Sequence, residues 1–218
     1  YISVTGVQTC ALPISNAKWL TEIAHKNPIW IHTKDAKRLG VDNGDLLKIT
    51  TPIGWFVDKV WVTESIKPGV VACSHHIGRW RRQQDEGNRY MTNTVDIKNM
   101  GDGQWKMETV KGVEPWETDD PDTNRVWWRD GGVHQNITHA ANPDPISGAH
   151  CWLQKVSISK PESGEKYGDV FVDTNKSFEH FKKWNEWAKE RETHPDSLRR
   201  PLWMGRPLTP QKEQFYIK

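Results

Sequence analysis

The sequence predicts a mainly β domain with a few short helices. Three observations predict this fold class: short runs rich in β-branched and aromatic residues, alternation of apolar and polar residues within them, and glycine or proline turns between them. This pattern favours a sheet of short strands over a helical bundle. It is clearest near the start of the chain, where the predicted strands are residues 29–32, 46–51, 55–62 and 70–73.

Two short helices are predicted on either side of the first strand. Residues 16–25 have the period of an amphipathic helix, which Pro28 ends. Thr33 is a good N-cap for a second helix over residues 34–39. Gly40 follows that helix and suits the left-handed backbone of a helix end.

The second and third predicted strands form a hairpin. Residues 52–54, which read Pro-Ile-Gly, supply the turn between them, and Asn43-Gly44 supplies the tight turn before them. Because side chains alternate along a strand, two sets are expected to face opposite sides. These sets are Val57, Lys59 and Trp61 on one side and Phe56, Asp58, Val60 and Val62 on the other.

The strand pattern is lost in the middle of the chain. Residues 81–124 are polar, with glycine and isolated tryptophan, and are expected to form a long excursion with little regular structure. Order returns at residues 126–128, and residues 151–159 alternate as a strand that closes the β unit. A linker over residues 160–168 is then expected to lead to a helix over residues 178–191 and an extended tail.

The composition excludes several classes of function. The 218 residues carry a net charge of +2 without a clustered basic stripe, so nucleic acid is not an expected partner. No apolar run has the length that a transmembrane helix needs. The three cysteines include no closely spaced pair, so neither a disulfide framework nor an iron–sulfur site is expected in this chain. Thirteen tryptophans are expected to supply much of the buried area.

The first residues are expected to be foreign to the protein. Residues 1–15 resemble the translation of a sequencing-adapter oligonucleotide, and the chain begins with tyrosine rather than methionine. We therefore expect residues 1–15 to be a non-native scar with few contacts to the fold. A native strand that ends at Pro13 is the alternative. If residues 1–15 are a scar, the chain is the C-terminal piece of a longer protein.

Two segments concentrate hydrogen-bond donors where predicted strands or turns end. The fourth strand leads into residues 75–80, which read HHIGRW, and residues 131–136 read GGVHQN. Every phosphate oxygen that leaves water needs a hydrogen-bond partner, so both segments are candidates for binding a phosphate-bearing ligand. Glycine lets the backbone approach a ligand closely, and an arginine can bind two phosphate oxygens at once.

The same histidines raise a second interpretation, a metal site. His75, His76 and His134 could act as ligands together with Cys73. Adjacent histidines on a strand point to opposite faces, however, which disfavours one shared metal ion. No metal site is therefore expected in this chain.

Several motifs occur along the chain in a recognisable order, at residues 27–32, 36, 39–40, 44–45, 54, 62–64, 66–71, 76–78, 136–138 and 144–148. Each motif is weak alone, but together they span about residues 16–160. In this order they resemble the C-terminal domain of the molybdopterin oxidoreductases, the dimethyl sulfoxide reductase family. Within that family, the likeness is to catalytic subunits of the tetrathionate, arsenate and polysulfide reductase types.

The resemblance implies a fold and a function. The fold would be a six-stranded double-psi β-barrel with short peripheral helices over residues 16–160, with the 81–124 excursion and a C-terminal helix and tail over residues 161–218 added to it. The domain would hold an arm of a molybdopterin guanine dinucleotide cofactor of molybdenum or tungsten. Upstream domains of the same catalytic subunit would carry the metal ligand and any iron–sulfur cluster, and an iron–sulfur electron-transfer subunit is an implied partner. This chain alone is then expected to be inactive.

The resemblance also implies the site residues. His76, Gly78 and Arg79 match positions where that family meets pterin and phosphate, although Arg79 also suits a solvated residue after a strand. Asn136 matches a family asparagine, with a turn asparagine as the alternative, and Asp144 either reads the guanine edge or caps a turn. The expected cofactor-binding residues are Lys18, Asn27, His75, His76, Gly78, Arg79, Trp80, His134, Gln135, Asn136 and Asp144.

A second class of function remains open, a tryptophan-rich carbohydrate-binding β domain without redox chemistry. Such a domain needs aromatic side chains on one exposed face and few cationic donors. The polar cluster in this chain combines histidine, arginine, asparagine and glutamine, which favours a phosphate-bearing ligand. On that interpretation, His76, Gly78, Arg79 and Asn136 are expected to converge on one concave rim.

Overall fold

The fold is described by a computed structural model, which covers residues 26–75, 81–82, 95–109, 132–144, 149 and 153–190. The helix predicted over residues 16–25 and the ordered segment predicted over residues 126–128 lie outside these ranges. The strands are β1 (Ile29–His32), β2 (Leu46–Thr50), β3 (Gly54–Thr63), β4 (Val71–Ala72), β5 (Arg81–Arg82), β6 (Val95–Gly101), β7 (Gln104–Thr109), β8 (Ser157–Ser159) and β9 (Val170–Asp173). The helices are α1 (Thr33–Leu39), the 3₁₀ turn η1 (Gln135–Thr138) and α2 (Thr174–Glu190).

The strands form one mixed sheet with β3 at its centre. The order is β4-β1-β3-β9-β7-β6-β5, and β2 pairs with both β3 and β8. β3 pairs with β9 at its start, with β2 along its middle and with β1 at its end. Only two of the described pairings are parallel, β1 with β3 and β5 with β6. The predicted mainly β fold class is confirmed, whereas the six-stranded double-psi barrel stays a prediction.

The hydrophobic core lies around β3. Ile31 of β1, Leu47 of β2 and Val57 of β3 have no exposed surface. The predicted hairpin of β2 and β3 forms, with Leu47 opposite Asp58. Phe56 and Val57 point to opposite faces of β3 and are both buried, so this strand is covered on both sides. The central strand therefore has little freedom to shift, and it fixes the neighbours that carry the candidate site.

The helix predicted after the first strand is present as α1, but its cap differs. His32 is the N-cap, and its Nδ1 accepts a hydrogen bond of 3.0 Å from the backbone N–H of Lys34. Thr33 is the first helical residue, and its hydroxyl donates to Glu64. Gly40 ends the helix with a φ of 63°, as predicted. Thr33 was wrongly predicted as the N-cap because an imidazole nitrogen can also accept a backbone N–H.

Part of the 81–124 excursion is regular structure. β6 and β7 form an antiparallel hairpin there, and β7 pairs with β9. Gly101, Asp102 and Gly103 all have positive φ and make the turn. Ile97 and Met107 are buried in the core. The expectation of little regular structure was therefore wrong for residues 95–109, where alternating apolar residues flank a Gly-Asp-Gly turn.

The sheet also continues beyond residue 160. β9 lies between β3 and β7, and its Val170 and Val172 are buried. α2 starts directly after β9, earlier than the predicted residue 178, because Asp173 Oδ1 accepts a 3.0 Å hydrogen bond from the backbone N–H of Lys176. Of the strand predicted over residues 151–159, the described part, residues 153–159, contains only its end, as β8. No helix in the described part of the chain is long and apolar enough to cross a membrane.

An ion-pair cluster on the β6–β7 hairpin predicts a loss of stability in acid. Lys98 Nζ and Lys106 Nζ both contact the carboxylate of Glu108, the latter at 3.1 Å. The hydrogen bond from Lys98 is the largest cause that holds the pKa of Glu108 below its ordinary value, with Lys106 adding to it against partial desolvation. A carboxyl group whose pKa is lower in the folded than in the unfolded protein stabilises the fold at pH values above the unfolded pKa. This stabilisation is lost as the pH falls through the folded pKa.

Glu108→Gln is therefore expected to lower stability at about pH 7 by roughly 0.2–1 kcal/mol and to flatten the decline of stability as the pH falls through the carboxyl range. Urea unfolding at several pH values measures this change. Glu179→Gln is the matched control, because Glu179 is exposed on α2. An equal acid dependence in Glu108→Gln and the wild-type protein would contradict the assignment.

Candidate functional site

Two segments that are far apart in the sequence meet beside β1. β4 pairs with β1 and ends at Ala72, so the chain leaves the sheet through residues 73–75, here called the exit segment. Residues 132–140, here called the asparagine loop, contain η1 and contact β3 and β9. β1 is paired on both edges, with β4 and β3, and β3 is central to the sheet, so both segments have a rigid base.

Side chains of the asparagine loop bind the backbone of the exit segment. Gln135 Nε2 donates to the carbonyl oxygen of Ser74 at 3.3 Å. Asn136 Nδ2 donates to the carbonyl oxygen of His75 at 2.8 Å. These two bonds span 61 residues of sequence and place Asn136 next to the start of the HHIGRW segment.

The side chain of Asn27, which lies just before β1, hydrogen-bonds to the same two segments. Its Nδ2 donates to the carbonyl oxygens of Ser74 at 3.0 Å and of Val133 at 2.8 Å, and its Oδ1 accepts from the backbone N–H of Val133 at 2.8 Å. The residue is 2% exposed. The amide of Asn27 is thus engaged within the protein, although the sequence placed Asn27 among the cofactor contacts.

Asn136 carries an atom that fits a ligand. The residue is buried, and its Oδ1 has no hydrogen-bond donor among the described residues. A buried carbonyl oxygen without a donor is unfavourable, so such a group marks a place where a further donor is accommodated. The chemistry of this atom suits an N–H group of a bound heterocycle, since an amide oxygen accepts and does not donate.

The asparagine loop is tightly held from its other side. Thr51 Oγ1, in the turn between β2 and β3, donates to the carbonyl oxygen of Thr138 at 2.7 Å. Thr138 Oγ1 in turn donates to the carbonyl oxygen of Gln135 at 2.7 Å. Val133 has no exposed surface, and His134 is 3% exposed. The loop is therefore a buried, ordered element, which favours a role in orienting a ligand over that of a surface turn.

Cys73 does not offer a thiolate to this site. Burial, with a smaller effect of Asp58, raises the pKa of the Cys73 thiol well above its ordinary value. The protonated sulfur donates to the carbonyl oxygen of Asn27, with 2.9 Å between Sγ and that oxygen. Within the ranges that the structure describes, no group of three or more His, Cys, Asp or Glu side chains is placed to hold a metal ion.

Asp144 lies in a different setting, a cleft of about 560 Å³ beside α2. Its backbone N–H donates to the carbonyl oxygen of Ala149 at 2.6 Å, so it takes part in a turn. His180 Nε2 and Asn142 Oδ1 lie 2.8 Å apart across the cleft. Burial and the nearby Lys183 lower the pKa of His180, which favours the neutral imidazole. The cleft is lined by Asn142, Pro143, Asp144, Leu153, His180, Lys183, Trp184 and Trp187.

The remaining predicted site residues lie outside the described ranges. These residues are Lys18, His76, Gly78, Arg79 and Trp80. The rim expected from His76, Gly78, Arg79 and Asn136 therefore stays a prediction. What the structure adds is that Asn136 contacts His75, the residue directly before His76.

The contacts of two residues in this arrangement were not predicted from the sequence. Thr51 was read as the end of a strand, and Asn27 was predicted as a ligand contact, which stays a prediction. Nothing local in the sequence indicates that Asn27 reaches Val133 or that Thr51 reaches Thr138, because these pairs are brought together by the sheet. Only the residue type of Asn27 indicated such contacts, because a buried asparagine needs several hydrogen-bond partners.

The fold and the site together describe a mainly β domain with a buried amide acceptor that suits a heterocyclic N–H group. Comparison with known families makes this specific: residues 5–104 match the family of molydopterin dinucleotide binding domains. The resemblance inferred from the motifs of the chain is therefore confirmed. The match begins within residues 1–15, whose origin as a scar stays a prediction.

Three curated relatives are similar to part of the chain. A tetrathionate reductase subunit of Archaeoglobus fulgidus is 34% identical over 62 residues, which cover 28% of this chain and 6% of that protein. A selenate reductase subunit of Mesobacillus selenatarsenatis is 38% identical over 68 residues, with 25% and 6% covered. The arsenate respiratory reductase molybdopterin-containing subunit of a Shewanella species is 36% identical over 59 residues, with 27% and 6% covered. The matched part of the chain thus spans about 6% of the length of each relative.

Proposed function

We propose that this chain is the C-terminal cofactor-binding part of a molybdenum or tungsten oxidoreductase. In this proposal, the domain holds the dinucleotide arm of a bis(pyranopterin guanine dinucleotide) cofactor. Upstream domains of the same catalytic subunit carry the metal ligand and the substrate funnel. The observation that carries the proposal is the family match over residues 5–104, which includes the exit segment and β1 beside it.

The chemistry of the asparagine loop supports the same ligand. Pterin and guanine rings both present N–H groups, and the buried Oδ1 of Asn136 is an acceptor without a described donor. When bound, the cofactor supplies the redox chemistry, while the protein orients it and excludes water. Asn136 then accepts from a ring N–H, and its Nδ2 keeps the exit segment in place.

The other proposed contacts follow from the sequence. Arg79 and His76 donate to phosphate oxygens, and Gly78 lets the backbone approach the ligand. His134 and Gln135 lie directly before Asn136 and shape that side of the site. Further proposed contacts are Lys18, His75, Trp80 and Asp144.

The proposed parent enzyme has further parts and partners. Any iron–sulfur cluster belongs to the upstream region of the catalytic subunit, and an iron–sulfur subunit exchanges electrons with it. The relatives are reductases of tetrathionate, selenate and arsenate, which supports a respiratory reductase of an oxyanion or sulfur compound. This chain alone is proposed to be catalytically inactive.

The geometry of one exposed pair of tryptophans gives no support to the alternative of a carbohydrate-binding domain. Trp30 and Trp61 are partly exposed neighbours on β1 and β3, with ring centroids 4.4 Å apart. Their ring planes are inclined by 75°, so the pair does not form a flat platform for a sugar ring.

The DNA sequence upstream of Asn16 tests the proposal that the chain is one part of a catalytic subunit. The expected result is an open reading frame continuous with Asn16 that encodes the preceding domains of a molybdopterin oxidoreductase. A stop codon in frame directly before Asn16, or a start codon there, would overturn this part of the proposal.

A further inference from the structure

One buried side chain, that of Asn27, contacts both segments of the candidate site. Its side-chain amide hydrogen-bonds to both the N–H and the carbonyl oxygen of Val133, as two paired residues on neighbouring strands do. The same Nδ2 also bonds the carbonyl oxygen of Ser74. The carbonyl oxygen of Asn27 accepts the thiol of Cys73, so the backbone and the side chain of this residue both hold the exit segment.

These contacts close a ring of hydrogen bonds. Asn27 holds Ser74 and Val133, while three residues after Val133 the amide of Asn136 holds His75. Every bond in the ring runs between segments separated by at least 47 residues. The spacing of the exit segment from the asparagine loop therefore depends on the side chain of Asn27, together with those of Gln135 and Asn136.

We propose that Asn27 is a positioning residue for the ligand. It sets the spacing between the exit segment and the asparagine loop, and through Val133 it orients the Oδ1 of Asn136 toward the bound heterocycle. This inference rests on the proposed function, but it concerns a residue that does not contact the ligand.

The amide of asparagine is required at this position. The side chain must supply one acceptor, for the N–H of Val133, and two donors, for the carbonyl oxygens of Ser74 and Val133. Aspartate has the same shape but is acceptor-only when ionised, so it faces two carbonyl oxygens with negative charge. Asn27→Asp therefore keeps the volume of the side chain and removes the donors.

Amide hydrogen exchange of the 218-residue chain tests the structural half of the inference. In Asn27→Asp, exchange at residues 133–139 is expected to accelerate by about tenfold or more relative to β2 and β3. Thr174→Val is the matched control, since it removes another hydrogen bond from a buried side chain to the backbone, the one to Gly103. Exchange in this control is expected to accelerate evenly across the sheet. An even acceleration in Asn27→Asp would overturn the inference.

The pH profile of Asn27→Asp adds a readout that loss of global stability does not produce. A carboxyl group buried beside carbonyl oxygens is held toward its protonated form, which has one O–H donor. Lowering the pH toward about 5 is therefore expected to restore part of the protection of the asparagine loop. Thr174→Val is expected to show no such recovery, and a missing recovery in Asn27→Asp would count against the donor role.

The ligand half is tested in the intact catalytic subunit by its content of pterin, measured by fluorescence after oxidative release. Asn27→Asp is expected to contain about tenfold less pterin than the wild type, whereas Thr174→Val keeps the wild-type content. Normal pterin in Asn27→Asp, with a loosened loop, would overturn the inference and leave the proposed function intact. A wild-type subunit without pterin would instead overturn the proposed function and the ligand half together, while hydrogen exchange still decides the structural half.

Discussion

Replacement of Gly54 with alanine is expected to destabilise the fold by about 3 kcal/mol or more, because the added methyl group has no room. Its Cβ would lie 2.1 Å from the carbonyl oxygen of Phe171 and 3.1 Å from the Cα of Val172. Both contacts are with backbone, so no side-chain rotation relieves them. Gly54 is also paired in register with Val172, and the start of β3 cannot move away from β9 without loss of that pairing.

Equilibrium unfolding in urea measures this effect, and Gly44→Ala is the matched control. Gly44 has a φ of 88°, and an added Cβ there would meet no atom within 4 Å. The control therefore carries backbone strain alone, at a cost of roughly 1–2 kcal/mol. A Gly54→Ala protein as stable as Gly44→Ala would show that β3 and β9 do not pack as closely as described.

The second large effect is expected on the ligand. In the intact catalytic subunit, Arg79→Ala should weaken cofactor binding by about 1.5–3 kcal/mol, since it removes a charge-assisted hydrogen bond to a phosphate. That loss corresponds to roughly 10- to 150-fold in affinity. It is measured as the metal and pterin content of the purified protein.

Arg38→Ala is the control for the loss of one positive charge. Arg38 is largely exposed on α1, and it pairs with Asp35 at 3.0 Å. This variant is expected to keep the wild-type cofactor content. Arg79 lies outside the described residues, and its proposed role comes from the sequence. Normal metal and pterin content in Arg79→Ala would therefore end that role.

Local features of the fold were predictable because their causes lie close together in the sequence. The hairpin of β2 and β3 follows from alternation on both sides of a Pro-Ile-Gly turn, and the end of α1 follows from Gly40. The hairpin of β6 and β7 has the same kind of signal, with Gly-Asp-Gly between alternating residues. It was not predicted because most of the residues around it are polar. Its burial depends on β9, which lies more than 60 residues further along the chain.

The features that sequence reasoning missed are those that depend on the assembled sheet. β9 is four residues long, and it is stabilised by pairing on both edges, with β3 and β7. A strand of this length has little local signal of its own. The contacts of the candidate site were not predicted, because they too depend on the assembled sheet. Residue types identified Asn136 and the segment after Cys73, but the bonds of Asn27 depend on three segments that only the fold brings together.

If this chain holds the dinucleotide arm of a molybdopterin cofactor, the components of that cofactor are present in the purified parent enzyme. The most direct test is chemical analysis of the intact catalytic subunit for metal, pterin and guanine nucleotide released by acid. We expect molybdenum or tungsten together with pterin and guanosine monophosphate, the two organic components in equal amounts. A folded subunit from cells that make the cofactor, with metal, pterin and guanine nucleotide all absent, would show that the proposed function is wrong.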